Sequence, residues 1–579
     1  MKVNDLQKLL SSKNLDGFIF STTDEYLNEY VPDYNNRLQY ITNFSGSFGV
    51  LVVLQNDACL FTDSRYTLAA KEQVDLAIIE VELFSEENIY NWIKNKSSGK
   101  NLNIALNSKV TSINFLKFFE SLLKKIKCTA KIIDYHLVDE IWENRPEAPK
   151  TSVYLHDEEY GSLNYKEKIK TISKKLQEKN IDAFLVTALD NIAWLLNIRG
   201  NDIPCNPLSL SKLIIKANGD VYWFIDEQKT KSVKDYLSEI NFYKEKDLEL
   251  FLKNLDVKII GLSNNSPIYY LNILQEINFN VELMDDIITI EKAQKNDVEI
   301  ASIKKAHMRD GAYLVKLYCD IYKNPSKYNE VSIDKKLTEI KSHDPLYLGS
   351  SFPSIVGINS NGAIVHYRAN EKTSKALSND SYLLLDCGSQ YLDGTTDITR
   401  TFSFNSASED FKKHYTLVLK GHIAVASLIF KDGTTGSAVD LLARKPLWEY
   451  GLDYGHGTGH GIGFFLCVHE GPQSISPNNN VPLKEGMIIS NEPGYYVEGK
   501  YGIRLENLYA VAKSKHEGFL CFENLTFAPF DIKNINFDML SKDETKWLEN
   551  YHNEVYAKLL PLLMNDEKDW LKNFIHKTL

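Results

Sequence analysis

Apolar runs and amphipathic stretches alternate through the first 145 residues. An amphipathic helix opens the chain, and Gly17-Phe18-Ile19-Phe20 reads as a short buried strand. Residues 49–54 and 58–62 are two apolar runs around Gln55-Asn56-Asp57, which predicts a hairpin. Residues 131–141 change from strand to helix character, and Arg145-Pro146-Glu147-Ala148-Pro149 is a proline-punctuated linker. The next segment opens on the same plan. Residues 165–179 form a lysine-rich amphipathic pattern, Ile181 to Val186 reads as a strand, and a second hairpin runs through Leu213-Ile214-Ile215 and Val221-Tyr222-Trp223-Phe224 with Asn218-Gly219 at its turn. Two α/β units of one plan in tandem predict an internal duplication.

A charged helix is expected over residues 291–323. Glycine, histidine, aspartate and glutamate then concentrate between Pro353 and Asn507. Beyond Pro529 a helical tail carries Trp547, Tyr551, Leu559, Leu560, Trp570 and Phe574, and such a stripe reads as core or subunit interface before it reads as a ligand box.

Composition narrows the class. The 579 residues predict about three or four domains at roughly 150 residues each. The net charge of −11 comes with interspersed Lys and Glu and no basic run, which argues against a nucleic-acid groove or an anionic membrane surface. The seven cysteines are scattered without a CxxC pair, as expected for reduced thiols in a cytoplasmic protein, and Cys387 reads as a packing residue. No signal peptide is expected after Met1, and no apolar run approaches the ~20 residues of a membrane span.

The chemistry sits in the glycine-rich third. Tyr382-Leu383-Leu384-Leu385-Asp386 is an apolar strand ending in a carboxylate. After a turn near Asp393-Gly394, residues 395–402, which include Asp397, alternate as a second strand. A hairpin would bring Asp386 and Asp397 together, and a cation between them would relieve their repulsion. His456-Gly457-Thr458-Gly459-His460-Gly461 sets glycines around two histidines, so that backbone can approach closely. Glu492 is expected at a strand end before Pro493-Gly494, and Arg504 and Glu506 on one face of a strand. Four carboxylates and one imidazole suit a hard or borderline ion, Mn²⁺ first, with Co²⁺ or Zn²⁺ possible, and two divalent ions would balance the four negative charges.

These motifs carry a family resemblance. Residues 386–391 with 393–401, 456–461 with Val468-His469-Glu470-Gly471-Pro472, Asn491-Glu492-Pro493-Gly494-Tyr495-Tyr496 and Gly502-Ile503-Arg504-Leu505-Glu506-Asn507 are similar to the aminopeptidase P (Xaa-Pro aminopeptidase) family of pita-bread metallopeptidases, in its long three-domain cytosolic form. Residues 61–66, 186–200 and the tail around Trp547 and Tyr551 extend the similarity over essentially the whole chain.

The resemblance implies two creatinase-type N-terminal α/β domains, residues 1–146 and 147–304, followed by a pita-bread catalytic domain with a helical tail, residues 305–579. It implies that Asp386 binds one ion, Asp397 and Glu506 bridge both, and His460 and Glu492 bind the second. His366, His456 and His469 would hold substrate and stabilise the tetrahedral intermediate, with Arg504 beside them. Glu492 would also take a proton from the water whose hydroxide, bridging the ions, attacks the Xaa-Pro bond. His469, Tyr496 and Arg504 are expected to wall the proline slot, and Arg65 to reach over the cleft. The implied partners are small peptides with an N-terminal Xaa-Pro and a second copy of the chain. A prolidase acting on Xaa-Pro dipeptides, a methionine aminopeptidase, a creatinase and a non-catalytic pita-bread module are the alternatives. The duplicated N-terminal region and the intact cage disfavour them.

Overall fold

The computed structural model describes residues 2–404 and 407–576, in two compact units. The first unit comprises residues 1–157 and 163–288 and holds two six-stranded mixed sheets. In the first sheet, Gly17–Ser21 pairs antiparallel with Val50–Leu54 and parallel with Asn103–Asn107. Ala58–Thr62 and Glu80–Leu83 extend one side, and Thr129–Ile133 closes the other. The second sheet repeats this strand for strand. Ala183–Val186 pairs antiparallel with Lys212–Lys216 and parallel with Ile259–Ser263. Val221–Phe224, Asn241–Tyr243 and Asn280–Met284 take the places of their counterparts, with the same senses. The tandem plan read from the sequence is therefore present as one topology used twice.

The hairpin expected about residues 55–57 joins Val50–Leu54 to Ala58–Thr62, and the second turns at Gly219, whose φ of +97° favours glycine. Both faces of the first sheet are covered by apolar side chains, Phe18 and Leu51 on one and Ile19 and Phe61 on the other. The two halves of the unit are stitched by main chain: Ile113 N donates to Ser266 O and Ile268 N to Thr111 O, each at 3.0 Å.

The second unit comprises residues 158–162 and 289–579. The expected helix over 291–323 is two helices. Ile287–Ala293 ends, and Asp297–Lys323 restarts after Asn296, whose side chain accepts from the amides of Val298 and Glu299 while Glu299 reaches back to its amide. That capping box satisfies the orphan donors of a new N-terminus, so the break lies where the cap stands.

The paired strands of this unit are all antiparallel. Ile355–Ile358, Tyr382–Cys387 and Ile398–Ser403 form one sheet. A six-stranded sheet runs in the order Ile429–Lys431, Phe519–Asn524, Asn507–Lys513, Ile488–Asn491, Gly459–Gly461 and Glu470–Ile475. The core joins the long helix (Leu314, Tyr318), the strands (Leu383, Leu385, Phe402) and the tail. Tyr551 and Phe574 are buried in it and Trp547 and Trp570 pack against it, so the aromatic stripe is core. Cys387 belongs to the same cluster, in the packing role expected of it. No described helix is long and apolar enough to cross a membrane.

Candidate metal centre

Each acidic side chain of the site stands where a strand stops or changes partner. Asp386 lies in Tyr382–Cys387 opposite Thr399, and Asp397 immediately precedes Ile398–Ser403. The register Cys387↔Ile398 therefore sets the two aspartates at one end of the pair, as the hairpin reading required. Glu492 follows Ile488–Asn491, and its amide donates to Thr458 O at 2.7 Å. Glu506 differs from expectation. Arg504 ends the strand Tyr501–Arg504, and Glu506 lies in the gap before Asn507–Lys513. The chain changes sheets there, so the two residues do not share one continuous strand. Both still turn inward: Arg504 reaches Asp386, and Glu506 accepts from Thr399 Oγ1 at 2.8 Å.

The glycines around the histidines are required by close approach. A Cβ on Gly459 would lie 1.8 Å from Ser490 O, and one on Gly461 2.2 Å from Glu470 O. His460 sits between them with Nδ1 3.0 Å from Gly461 O, so Nδ1 donates to that carbonyl and Nε2 is the nitrogen turned toward the carboxylates. That Nε2 lies 3.5 Å from both Asp397 and Glu492.

Three carboxylate oxygens here are buried with no hydrogen-bond partner: Asp386 Oδ1, Asp397 Oδ1 and Glu506 Oε1. Donor atoms of Asp397, His460 and Glu506 fall within 4.8 Å of one another. Burial first, and then repulsion from Asp386 and Glu492, pushes Asp397 well above the usual carboxylate range. Glu506 rises in the same way, through burial and then Asp397 and Glu492. Buried carboxylate oxygens without protein partners, beside an imidazole nitrogen turned toward them, are the donor set that hard or borderline divalent cations take, so the residues present fit such ions.

A second layer holds the first. Arg504, 1% exposed, donates through Nη2 to Asp386 Oδ2 at 2.6 Å and through Nη1 to the Tyr496 hydroxyl at 2.7 Å. The Tyr496 oxygen lies 2.8 Å from His456 Nε2, and His456 Nδ1 lies 2.8 Å from Gly457 O. Because Arg504 supplies one proton to the phenol oxygen, the phenol's own proton points at His456 Nε2, and the imidazole is protonated at Nδ1. Burial pushes Tyr496 up to about 12, so it remains a phenol near neutral pH. The His469 ring packs edge-on to His460 with centroids 4.4 Å apart. His366 follows Val365, whose carbonyl accepts from Arg504 at 3.3 Å. Arg65 lies in the first unit, held by Asp63 at 2.7 Å.

Several supporting residues were not read from the sequence. Glu470, fully buried beside His469, accepts from Lys292 at 2.7 Å and from Lys295. Buried His422 is held neutral, lowered to about 3 by burial and by Arg400, and approaches Leu505 O at 3.1 Å, next to Glu506. Asp310 and Lys341 pair at 2.8 Å behind the turn between the two aspartates. Their partners lie tens to hundreds of residues away, so no local pattern announces them.

Comparison with known proteins covers the same ground. Residues 301–513 match the model of metallopeptidase family M24 and residues 518–577 the C-terminal region of that peptidase. Residues 2–140 and 144–299 each match a creatinase/prolidase N-terminal domain. Xaa-Pro aminopeptidase 1 of Dictyostelium discoideum is 34% identical over 99% of this chain and 96% of its own length. A probable Xaa-Pro aminopeptidase P of Talaromyces marneffei is 36% identical over 98% of this chain and 90% of its own. The crystal structure of X-prolyl aminopeptidase from Caenorhabditis elegans, described as a cytosolic enzyme with a di-nuclear active site, superposes with a TM-score of 0.94 at 31% identity, covering 99% of both chains. An Xaa-Pro dipeptidase from Bacillus anthracis shares the fold (TM-score 0.53, 24% identity), but 99% of it accounts for only 63% of this chain.

Proposed function

This chain belongs to the Xaa-Pro aminopeptidases of metallopeptidase family M24, and we propose that it releases the N-terminal residue from peptides with proline in second position. The observation that carries the reading is the convergence of Asp397, His460 and Glu506, with partnerless carboxylate oxygens on Asp397 and Glu506 and a further one on Asp386 at the same end of the strand pair. The match over the full chain, with both N-terminal domains, separates it from the shorter dipeptidases.

Asp386 would hold one ion, Asp397 and Glu506 both, and His460 and Glu492 the second. When bound, two divalent ions polarise the scissile carbonyl and bring the attacking water's proton within reach of a carboxylate at neutral pH. The di-nuclear site of the nematode enzyme supports two ions, and the carboxylate-rich donor set favours Mn²⁺ over Co²⁺ or Zn²⁺.

The chain's own residues do the rest. Glu492 takes the water's proton. His366 and His469 donate to the oxygen on which charge develops. His456, with Nδ1 at Gly457 O and Nε2 accepting from Tyr496, acts by orienting the Tyr496 wall against the substrate. Arg504 locks one oxygen of Asp386, leaving the other for the ion and the substrate amine, so the cut falls one residue from the end. The Xaa-Pro bond has no N–H, and recognition therefore rests on accepting the ring, with Tyr496 and His469 as walls.

We place the domain boundaries at 1–146, 147–304 and 305–579, and the enzyme in the cytoplasm as a homodimer. Leu441, Trp448 and Tyr450, close together in sequence, are each roughly half accessible, and these exposed apolar side chains support the homodimer reading. Sedimentation equilibrium is expected to give twice the chain mass, and a monomer at micromolar concentration would remove the homodimer.

The activity test is a peptide panel with Mn²⁺, Co²⁺ and Zn²⁺. Arg-Pro-Pro is expected to yield free arginine, fastest with Mn²⁺, and an Xaa-Pro dipeptide to be cut at least tenfold more slowly. Dialysis against a chelator should abolish both rates, and Mn²⁺ should restore them. Cleavage of the dipeptide alone would assign the chain to the prolidases.

A further inference from the structure

Arg400 lies within the strand Ile398–Ser403, one residue from Thr399, and is fully buried. No carboxylate lies within ion-pair distance of it among the described residues. Its guanidinium faces only neutral oxygens. Nε donates to Pro529 O at 3.1 Å, and Nη1 to Thr399 O at 2.8 Å and Glu506 O at 2.5 Å. Nη2 is shared among Asn507 Oδ1 at 2.7 Å, Ala528 O at 2.8 Å and Tyr551 OH at 2.9 Å. The Phe530 ring covers the cation at 4.1 Å from its centroid.

Burying a cation without a counter-ion is costly, and a fork whose donors are all satisfied by carbonyls, an amide and a phenol is a built feature. Its place explains the need. Glu506 sits between two strands and has no ladder of its own. It is fixed by three bonds from one neighbouring strand: its amide donates to Thr399 O at 3.1 Å, Thr399 Oγ1 donates to its Oε2 at 2.8 Å, and Arg400 clamps its carbonyl. With Oε2 and the main chain so held, Oε1 is left aimed into the cage. The other arm of the fork grips the segment 528–529 and Tyr551, which lies on the helix Lys542–Leu559.

We propose that Arg400 is a positioning residue that sets Glu506 as a bridging metal ligand and makes the C-terminal helix, through Tyr551, a structural part of the metal centre. The inference rests on the reading of Glu506 as a ligand. A lysine at 400 keeps the charge but has no fork, and cannot clamp Glu506 O while also holding Asn507 and Tyr551.

The test titrates metal-free full-length protein with Mn²⁺ calorimetrically and follows turnover against Mn²⁺ concentration. Arg400→Lys is expected to weaken at least one of the two ions by ~10–100-fold, the usual penalty for losing a ligand's support. Turnover should be largely recovered at millimolar Mn²⁺. Tyr551→Phe, which removes one acceptor and leaves the cation, should weaken the same ion by about threefold (1.36 kcal/mol corresponds to tenfold). A residue needed only for packing would lower the melting temperature of the metal-free protein and leave both affinities alone. Two folded variants that bind both ions as the parent does would overturn the proposal, while the parent's own uptake of two ions keeps the metal reading intact. Should Arg400→Lys fail to fold, Tyr551→Phe decides alone, by the same titration. A parent that takes up no Mn²⁺ would sink both readings.

Discussion

Glu492→Gln is expected to lower kcat by about three orders of magnitude, near 4 kcal/mol of transition-state stabilisation, within the ~10²–10⁴-fold span of general-base catalysis. Glutamine matches the shape and still offers one oxygen, so the change isolates the charge and the proton-accepting capacity. The surroundings justify placing the demand on this residue. Its amide is pinned to Thr458 O at 2.7 Å, and Oε1 lies 3.3 Å from the donating Ser490 hydroxyl and 3.5 Å from His460 Nε2. Burial raises its carboxyl above the usual range, with Asp386 adding to the rise and His460, Arg504 and His469 opposing it. Burial and neighbouring carboxylates push Asp397 and Glu506 well above that range, and of the three Glu492 is the one whose rise His460 and His469 oppose. Steady-state kinetics with Arg-Pro-Pro at saturating Mn²⁺, beside metal analysis of the same sample, checks it. KM should change by less than about threefold and both ions should remain. Activity within a few-fold of the parent would remove Glu492 as the base. Loss of an ion with the activity would mean that its ligand role alone had been tested.

Much of the candidate site was legible in the sequence because several of its residues are announced locally. An apolar strand stops at Asp386, glycines crowd His460, and Pro493-Gly494 turns the chain behind Glu492. The two α/β sheets were legible for the same reason: continuous apolar runs and Asn218-Gly219 are short-range signals. What was not legible is what depends on distant partners. Arg504 and Asp386 are 118 residues apart and Lys292 and Glu470 178, and nothing in either segment names the other. The helix expected through 291–323 failed at Asn296, where the S/T/D/N-x-x-E pattern of a capping box lay inside a run that otherwise read as charged helix. Arg504 and Glu506 were placed on one strand by a period of two. The chain leaves one sheet for another between them, and that is set by tertiary packing.

Lys341→Met should be the most destabilising single change in the catalytic unit, about 3–5 kcal/mol, the cost of leaving a buried charge without its partner. Lys341 Nζ lies 2.8 Å from Asp310 Oδ1 and 2.9 Å from Ser389 Oγ, and both charged side chains are almost wholly buried. Asp310 also accepts from Tyr391 OH at 3.0 Å and from the hydroxyls of Ser389 and Thr396. Burial alone would raise the Asp310 carboxyl. Lys341 and then Thr396 hold it below the usual range. Removing Lys341 leaves burial dominant, so the folded-state pKa of Asp310 should rise above its unfolded value. The folded variant then binds a proton that the unfolded chain does not, and its stability falls as pH increases through the raised pKa. The penalty should therefore be smaller at pH 5 than at pH 8. Because Thr396 and Ser389 flank the turn between Asp386 and Asp397, the loss should reach the metal centre as well. Asp310→Asn/Lys341→Met, which removes both charges, should recover at least half of it. Thermal unfolding of the metal-free protein at the two pH values measures this, with a lowering on the order of 10 °C for the single variant at pH 8. A double variant less stable than Lys341→Met, or a penalty that grows toward pH 5, would show that Asp310 does not carry an uncompensated charge when Lys341 is gone.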